Sequence, residues 1–354
     1  MIALGRLCGQ QGRVQEARTW LQYAVGTQHP EYAPAAAAEL ATALAEHGGQ
    51  AAARAALERL RMATNARLAA QAAFLLGTLL LEWGEDETEA RAALEQAANS
   101  GVATAAPAAM VNLGVLLARH DDPGQVAWFA RAADTDDSEV APVAALYLAS
   151  WHEEQGDLER TSDAYRQAIG HEHPDASPRA AYLLGRLQRA HGQVQEAWAV
   201  WQQALDGRHP RYSVLAALQL GDMLMRRGNW QHAKAAWQQA SQQPTLDSLA
   251  AVQLAQVCDD WGQPELAEAI YQRVLTGGDT NGGPVAALGL GFLYESRRAK
   301  GNVARARALY QWVIDSQHPT ASAIASRRLA GLNHRTGFGH ARRRRPNASG
   351  LDRR

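Results

Sequence analysis

Residues 178–211 read PRAAYLLGRLQRAHGQVQEAWAVWQQALDGRHPR, and the punctuation of this stretch decides the fold. Leu184-Gly185 lies inside one apolar run, Gly192 interrupts it, and Ala197, Trp201 and Ala204 mark a second run. Offsets of four and then three put those last three residues on one helical stripe. Glycine belongs just past a helix C-terminus, where the chain visits positive φ. The stretch therefore predicts two helices, each roughly thirteen residues long, joined by a glycine turn.

The same marks recur along the chain. A Leu followed by a small residue stands at Leu4-Gly5, Leu40-Ala41, Leu76-Gly77, Leu113-Gly114, Leu148-Ala149, Leu184-Gly185, Leu220-Gly221, Leu254-Ala255 and Leu290-Gly291, with intervals of 34 to 37 residues. Eight residues after each Leu a turn glycine follows at Gly12, Gly48, Gly84, Gly156, Gly192, Gly228 and Gly262, with Gly301 later in the last unit. The fourth unit has His120-Asp121-Asp122-Pro123-Gly124 there, a different turn chemistry. Ala17, Ala53, Ala197, Ala233, Ala267 and Ala306 come five residues beyond the turn. The aromatics Trp201, Trp237, Tyr271 and Tyr310 follow, with Trp128 and Tyr165 in looser register. One such hairpin cannot bury its own apolar face, so stability requires its neighbours. The small residues predict close backbone approach, and the aromatic is expected to fill the space where one unit meets the next.

On these residues the unit resembles the tetratricopeptide repeat. Its small-residue and aromatic pattern falls on Leu184, Gly185, Ala197, Trp201, Ala204 and, one place late, Pro210. The resemblance runs from Met1 to about Gly337. Two departures stand out: a period of about 36 against the family's ~34, and Ala181 where the family has tryptophan. The fold expected is all-α, a right-handed α-solenoid of about nine helix-turn-helix repeats with a C-terminal capping helix over about 320–334. Residues 1–337 form the array. Its first repeat is truncated, since only three residues precede Leu4, and either the start lies upstream or the chain is a piece of a longer array. Residues 338–354 read as a disordered arginine-rich tail.

Composition bounds the rest. Of 354 residues 47% are hydrophobic, enough for a soluble core, and the alanine content favours helix. No apolar run reaches the ~18 residues a membrane span needs, and no leader-like opening is present, so a cytoplasmic protein is expected. Cys8 and Cys258 read as reduced structural thiols. Net charge is −1, with +6 carried by residues 335–354 and −7 by the remainder. Such a division argues against a body wrapped by nucleic acid. Only two of the 35 basic residues are lysine, a bias read as the codon usage of a GC-rich genome.

No catalytic, cofactor or metal motif rises above its bland reading, so no enzyme and no cofactor are expected. Gly277-Gly278-Asp279-Thr280-Asn281-Gly282-Gly283-Pro284 lacks the lysine of a phosphate loop. His152-Glu153-Glu154 lacks a second histidine, and His171-Glu172-His173 lacks a third ligand. Asp134, Asp136, Asp137 and Glu139 read as a solvated turn. The histidines of His29-Pro30, His173-Pro174, His209-Pro210 and His318-Pro319 recur with the unit. They read as turn residues near the negative end of a helix, in preference to a metal ladder.

In the family the first helices line a concave face and the second helices form the outer wall. The resemblance therefore implies a partner-binding groove on Phe74, Val111, Leu146, Tyr182, Arg186, Arg189, Leu218, Met225, Arg226, Val252, Asp259 and Leu288. It has an apolar spine, a basic stretch at Arg186, Arg189 and Arg226, and acidic ground on both sides. A protein or peptide partner with apolar anchors and acidic groups suits it. The carboxylate clamp of some family members is absent, since the matching places hold Tyr182, Arg186, Leu218 and Asp222. The function expected is a protein-interaction scaffold. A regulatory segment of a larger catalytic or DNA-binding protein is the alternative, and nucleic-acid contact through the arginine tail a weaker one. Partner identity and oligomeric state are left open.

Overall fold

A computed structural model describes residues 1–341 apart from 28, 30, 48, 85 and 298–300. The described residues form nineteen α-helices and no strand. They fall into two units, Met1–Ala180 and Ala181–Arg354, with the division inside α11.

The first unit contains five hairpins: α1 (Ile2–Gln10) with α2 (Val14–Gly26), α3 (Tyr32–His47) with α4 (Gln50–Leu60), α5 (Ala66–Trp83) with α6 (Glu87–Ala98), α7 (Ala106–Ala118) with α8 (Gln125–Ala133), and α9 (Ala141–Glu154) with α10 (Leu158–Gly170). Four more follow: α11 (Ala176–Ala190) with α12 (Val194–Asp206), α13 (Tyr212–Arg226) with α14 (Trp230–Ser241), α15 (Ser248–Asp260) with α16 (Pro264–Thr276), and α17 (Gly282–Ser296) with α18 (Asn302–Asp315). A single last helix, α19, spans Ala321–Ala341. Nine pairs and one unpaired helix match the repeat count read from the sequence. The last helix runs seven residues past its expected end at 334, so residues 338–341 of the expected tail are helical backbone. Residues 342–354, including most of the tail arginines, lie outside the described residues.

The turns obey the glycine spacing. Gly12, Gly84, Gly156, Gly192, Gly228 and Gly262 take φ between 68° and 78°, and Asp121 takes the same region at 52° in the fourth hairpin. The expected turn glycine at 48 lies outside the described residues.

Where the small residue of the first helix is glycine, a large side chain of the second helix lies over it. Trp201 lies over Gly185, Trp237 over Gly221, Tyr310 over Gly291, Phe129 over Gly114 and Leu94 over Gly77, each so close that a β-carbon on the glycine would overlap it. This corrects two expectations. The ring mainly fills its own hairpin, because the glycine leaves room there for it to approach the backbone. Tyr271, whose own partner is Ala255, presses instead on Gly289 of the next hairpin. The fourth hairpin uses Phe129, not Trp128: Trp128 is partly exposed and carries the Arg131 guanidinium 4.4 Å above its ring.

In the first unit, core clusters run from one hairpin into the next. Leu21 of α2 clusters with Leu40, Leu44 and Ala53 of the next pair, and Ala41 and Leu57 cluster with Leu76, Leu80 and Ala90 of the pair after. Side-chain latches reinforce the junctions at the C-terminal end of the preceding second helix, some on its open carbonyls and some on a side-chain oxygen there. In the first unit Gln96 donates to the Arg61 carbonyl at 3.0 Å, Arg131 to Asn99 Oδ1 at 3.1 Å and Gln167 to the Ala133 carbonyl at 2.9 Å. In the second, Gln239 donates to Asp206 Oδ1 at 2.9 Å and Arg273 to the Ser241 carbonyl at 2.5 Å.

Candidate interaction face

In the second unit the first helices α11, α13, α15 and α17 each leave one stripe incompletely covered. Arg186 stands exposed on α11, four residues after the half-buried Tyr182 and three before the half-buried Arg189. On α13 the half-buried Leu218 and Met225 and the exposed Arg226 continue the pattern. These positions recur every three or four residues, which keeps them on one side of a helix.

The charged groups here are organised. Arg189 donates to Asp222 Oδ2 and to Gln219 Oε1, both at 2.7 Å, tying α11 to α13. Arg226 Nε reaches both carboxylate oxygens of Asp222 at 3.1 Å. Burial alone would raise the Asp222 carboxyl, but the hydrogen bonds from the two arginines outweigh it and hold the group below the usual carboxylate range. Asp222 is thus the centre that orients Arg189 and Arg226. Three arginines against one aspartate leave this part of the face positive. Tyr182 and Tyr212 stand 6.0 Å apart at its edge.

Further along, Asp259 lies half-buried at the end of α15. Burial pushes its carboxyl up, the adjacent Asp260 adds to this, and Arg297 opposes it. Beyond it Phe292 carries Arg328 of α19 at 4.8 Å over its ring, and Arg328 lies 3.8 Å from Glu295. The last helix therefore closes this end of the face.

The expected groove residues divide. Val252 and Leu288 are 8% and 6% exposed, and Leu146 in the first unit is 8% exposed. Their side chains pack into the interior because a helix in a stack buries contacts on more than one side, so they do not stand open as anchors. Phe74 and Val111, also in the first unit, are half-buried. Gln219 and Tyr212 escaped the sequence reading. Asp222 was placed only as a mismatch to a clamp, although its spacing of four before Arg226 is a pairing signal.

The other motifs have structural roles. Glu153 accepts the Tyr165 hydroxyl at 2.8 Å. Asp137 accepts from the Val140 amide just ahead of α9, and Asp279 from the Gly282 amide that opens α17. Among the described residues no group of three His, Cys, Asp or Glu could hold a metal ion. Both cysteines are free and buried, and burial pushes the Cys258 thiol up to about 12.

His152 has a consequence for pH. At the fourth place after the marker leucine, four of the nine hairpins put a core leucine, Leu44, Leu80, Leu117 and Leu224, and His152 takes that place in the fifth hairpin. It is buried, and its Nδ1 has no partner among the described residues. Burial holds its imidazole below the ordinary value, with Arg160 adding and Asp157 opposing. A depressed histidine is neutral in the fold, so its stability is intact above the ordinary imidazole value and is lost as pH falls below it. His152→Leu is expected to raise the thermal midpoint at both pH 7.5 and pH 5.5, and by more at pH 5.5. An equal gain at both values would count against this account.

Comparison with known proteins agrees with the architecture. Residues 118–257 match the tetratricopeptide repeat-like domain. Among solved structures, the chain is similar to a protective antigen of uropathogenic Escherichia coli that displays an SLR fold, with a TM-score of 0.50 at 16% identity, covering 100% of this chain and 73% of that one. It is likewise similar to a Sel1 repeat protein from Oxalobacter formigenes, with a TM-score of 0.50 at 18% identity, covering 91% of this chain and 89% of that one. No curated protein sequence matches the chain. No helix among the described residues is long and apolar enough to cross a membrane. Repeat stacks of this class commonly mediate contacts between proteins and are generally not catalytic. With hairpins, ring-over-glycine packing and these matches together, the chain has the all-α solenoid fold of the tetratricopeptide and Sel1-like repeat proteins, and residues 118–257 match the tetratricopeptide repeat-like domain.

Proposed function

We propose that this chain is a non-catalytic, cytoplasmic interaction scaffold, and that the α11–α13 face holds a peptide or helix carrying apolar and acidic side chains. The observation that carries the reading is the exposed Arg186 beside the Arg189–Asp222–Arg226 cluster, flanked by half-buried Tyr182, Leu218 and Met225. Two of the three arginines are already oriented, so a partner carboxylate meets a preorganised positive surface and loses less freedom on binding. The apolar neighbours supply contact area, and the arginines supply direction and register. The partner is a protein segment of that chemistry. Nucleic-acid contact through the tail rests on residues outside those described.

Arg186→Glu tests this with little risk to the fold, because the side chain is exposed. For acidic peptides of about twelve residues with two or three apolar positions, fluorescence anisotropy is expected to show at least tenfold weaker binding, since like charges at a contact oppose association. The wild-type affinity should also fall as salt is raised. Equal binding by the variant, or no preference for acidic over basic peptides, would overturn the assignment.

A further inference from the structure

We infer that the repeat histidines form an acid-sensitive set of helix caps that loosens chosen first helices while leaving the others intact. Eight first-type helices begin in the same way. One residue ahead of the helix gives its carbonyl to the amide four residues on, and its side chain accepts from the amides two or three residues on, as an N-cap does. At α5, α9, α15 and α17 that residue is Asn65, Asp137, Asp247 and Asp279, with side-chain contacts between 2.8 and 3.1 Å. At α3, α11, α13 and α19 it is His29, His173, His209 and His318. His173 Nδ1 accepts from the Asp175 and Ala176 amides at 3.1 and 2.9 Å, and His209 Nδ1 from those of Arg211 and Tyr212, both at 3.1 Å. The matching carbonyl bonds run from the Ser177, Ser213 and Ser322 amides to His173, His209 and His318 at 3.2 Å, and from Ala33 to His29 at 3.0 Å. The histidines therefore cap the positive end of the helix that follows, not the negative end of the one before, which corrects the sequence reading.

The two kinds of cap differ in one respect. An Nδ1 can accept an amide only while it carries no proton. Once protonated it becomes a donor facing donors, and its charge meets the positive end of the helix dipole. Imidazole is the side chain whose ordinary titration falls between pH 5 and 8. An asparagine cap does not titrate there, and the Asp279 carboxyl is held below its usual range by hydrogen bonds from Ser248 and from the Asn281 and Gly282 amides. Protonation of the imidazole therefore abolishes a histidine cap, while the asparagine cap has no such switch.

The surroundings grade the response. Glu139, from the loop before α9, lies 3.3 Å from His173 Nε2. It favours the tautomer that leaves Nδ1 as acceptor, and it also attracts the added proton's charge. His209 sits 4.8 Å from the Tyr212 ring between Arg208 and Arg211, and the Asp247 amide bonds to the neighbouring Pro210 carbonyl at 3.0 Å. His29 stacks 4.5 Å from Tyr32, beside Glu31, in a depression that Met1 also lines. His318 follows Asp315 by three residues.

Hydrogen exchange of the full chain at pH 7.5 and 5.5, corrected for the intrinsic pH dependence of exchange, tests the inference helix by helix. The first turns of α3, α13 and α19 are expected to exchange about fivefold faster in acid, the size of effect a lost cap gives. Those of α5, α15 and α17 are expected to keep their protection. His209→Asn, which keeps the acceptor and cannot titrate, should hold α13 protected in acid. Uniform loss in histidine-capped and aspartate-capped helices, no loss at α13, or continued loss in His209→Asn would each overturn it. Imidazole nitrogen shifts of the unsubstituted protein at pH 7.5 give a check free of any variant: a proton on His209 Nδ1 would contradict the cap.

Discussion

Trp201→Ala is expected to destabilise the second unit by about 3–5 kcal/mol, the range for removing a fully buried tryptophan. The indole is 0% exposed, and it lies over Gly185, where its atoms are the nearest to the place a β-carbon would take. Its Nε1 also donates to the Tyr182 carbonyl at 3.1 Å. Removing the ring leaves a cavity between α11 and α12 and takes from the Tyr182 carbonyl the second of its two hydrogen bonds. Urea unfolding followed by helical circular dichroism measures the loss. Trp230→Ala serves as the control, since that ring is 51% exposed and a surface change usually stays within about 0.5 kcal/mol. Equal losses in the two variants would mean that the rings over the glycines do not hold the hairpins together.

Gly221→Ala is expected to cost about 2–3 kcal/mol, the usual size of an overpacked core. The added methyl group would overlap the Trp237 indole, which is buried and cannot swing away without parting α13 from α14. The chain itself contains the compensation. In the second hairpin the small residue is Ala41, and its counterpart across the pair is Leu57. Combining Gly221→Ala with Trp237→Leu copies that arrangement, and Trp237 Nε1 has no partner among the described residues for the change to strand. In the Trp237→Leu background the glycine change should cost less than about 1 kcal/mol, an interaction energy within the range for residues in contact. Additive losses would show that ring and glycine are not one packing unit.

Most of this architecture was legible because a repeat states each requirement several times. A single Leu184-Gly185 is weak, yet nine such pairs in phase locate the first helix of every hairpin, and the glycines at 12, 84, 156, 192, 228 and 262 locate the turns. The ring's place was harder to read. Sequence spacing puts Trp201 on the buried stripe of α12 but does not say whether it faces α11 or the next hairpin; the absent side chain at Gly185 decides that. Phe129 was displaced by its neighbour Trp128 because the fourth hairpin is one residue out of step.

The candidate face was legible only in part. Position on a helix predicted Tyr182, Arg186, Arg189, Leu218, Met225 and Arg226 as uncovered or half-covered. It could not separate these from Val252 and Leu288, whose burial depends on how closely the adjoining first helices approach. The caps were misread for a similar reason. His209-Pro210 marks a boundary between helices, and which of the two helices the imidazole serves depends on a ring direction that spacing does not encode.

The most direct test is photocrosslinking from single sites on the two sides of the second unit. A photoreactive residue at Tyr182 or Leu218 on the first helices is expected to capture acidic peptide, and competition with unlabelled peptide should abolish the product. The same residue at Gln203 or Gln238, exposed on the second helices, should capture little. Crosslinks from 203 and 238 with none from 182 and 218 would contradict the account, because the partner would then lie on the opposite surface.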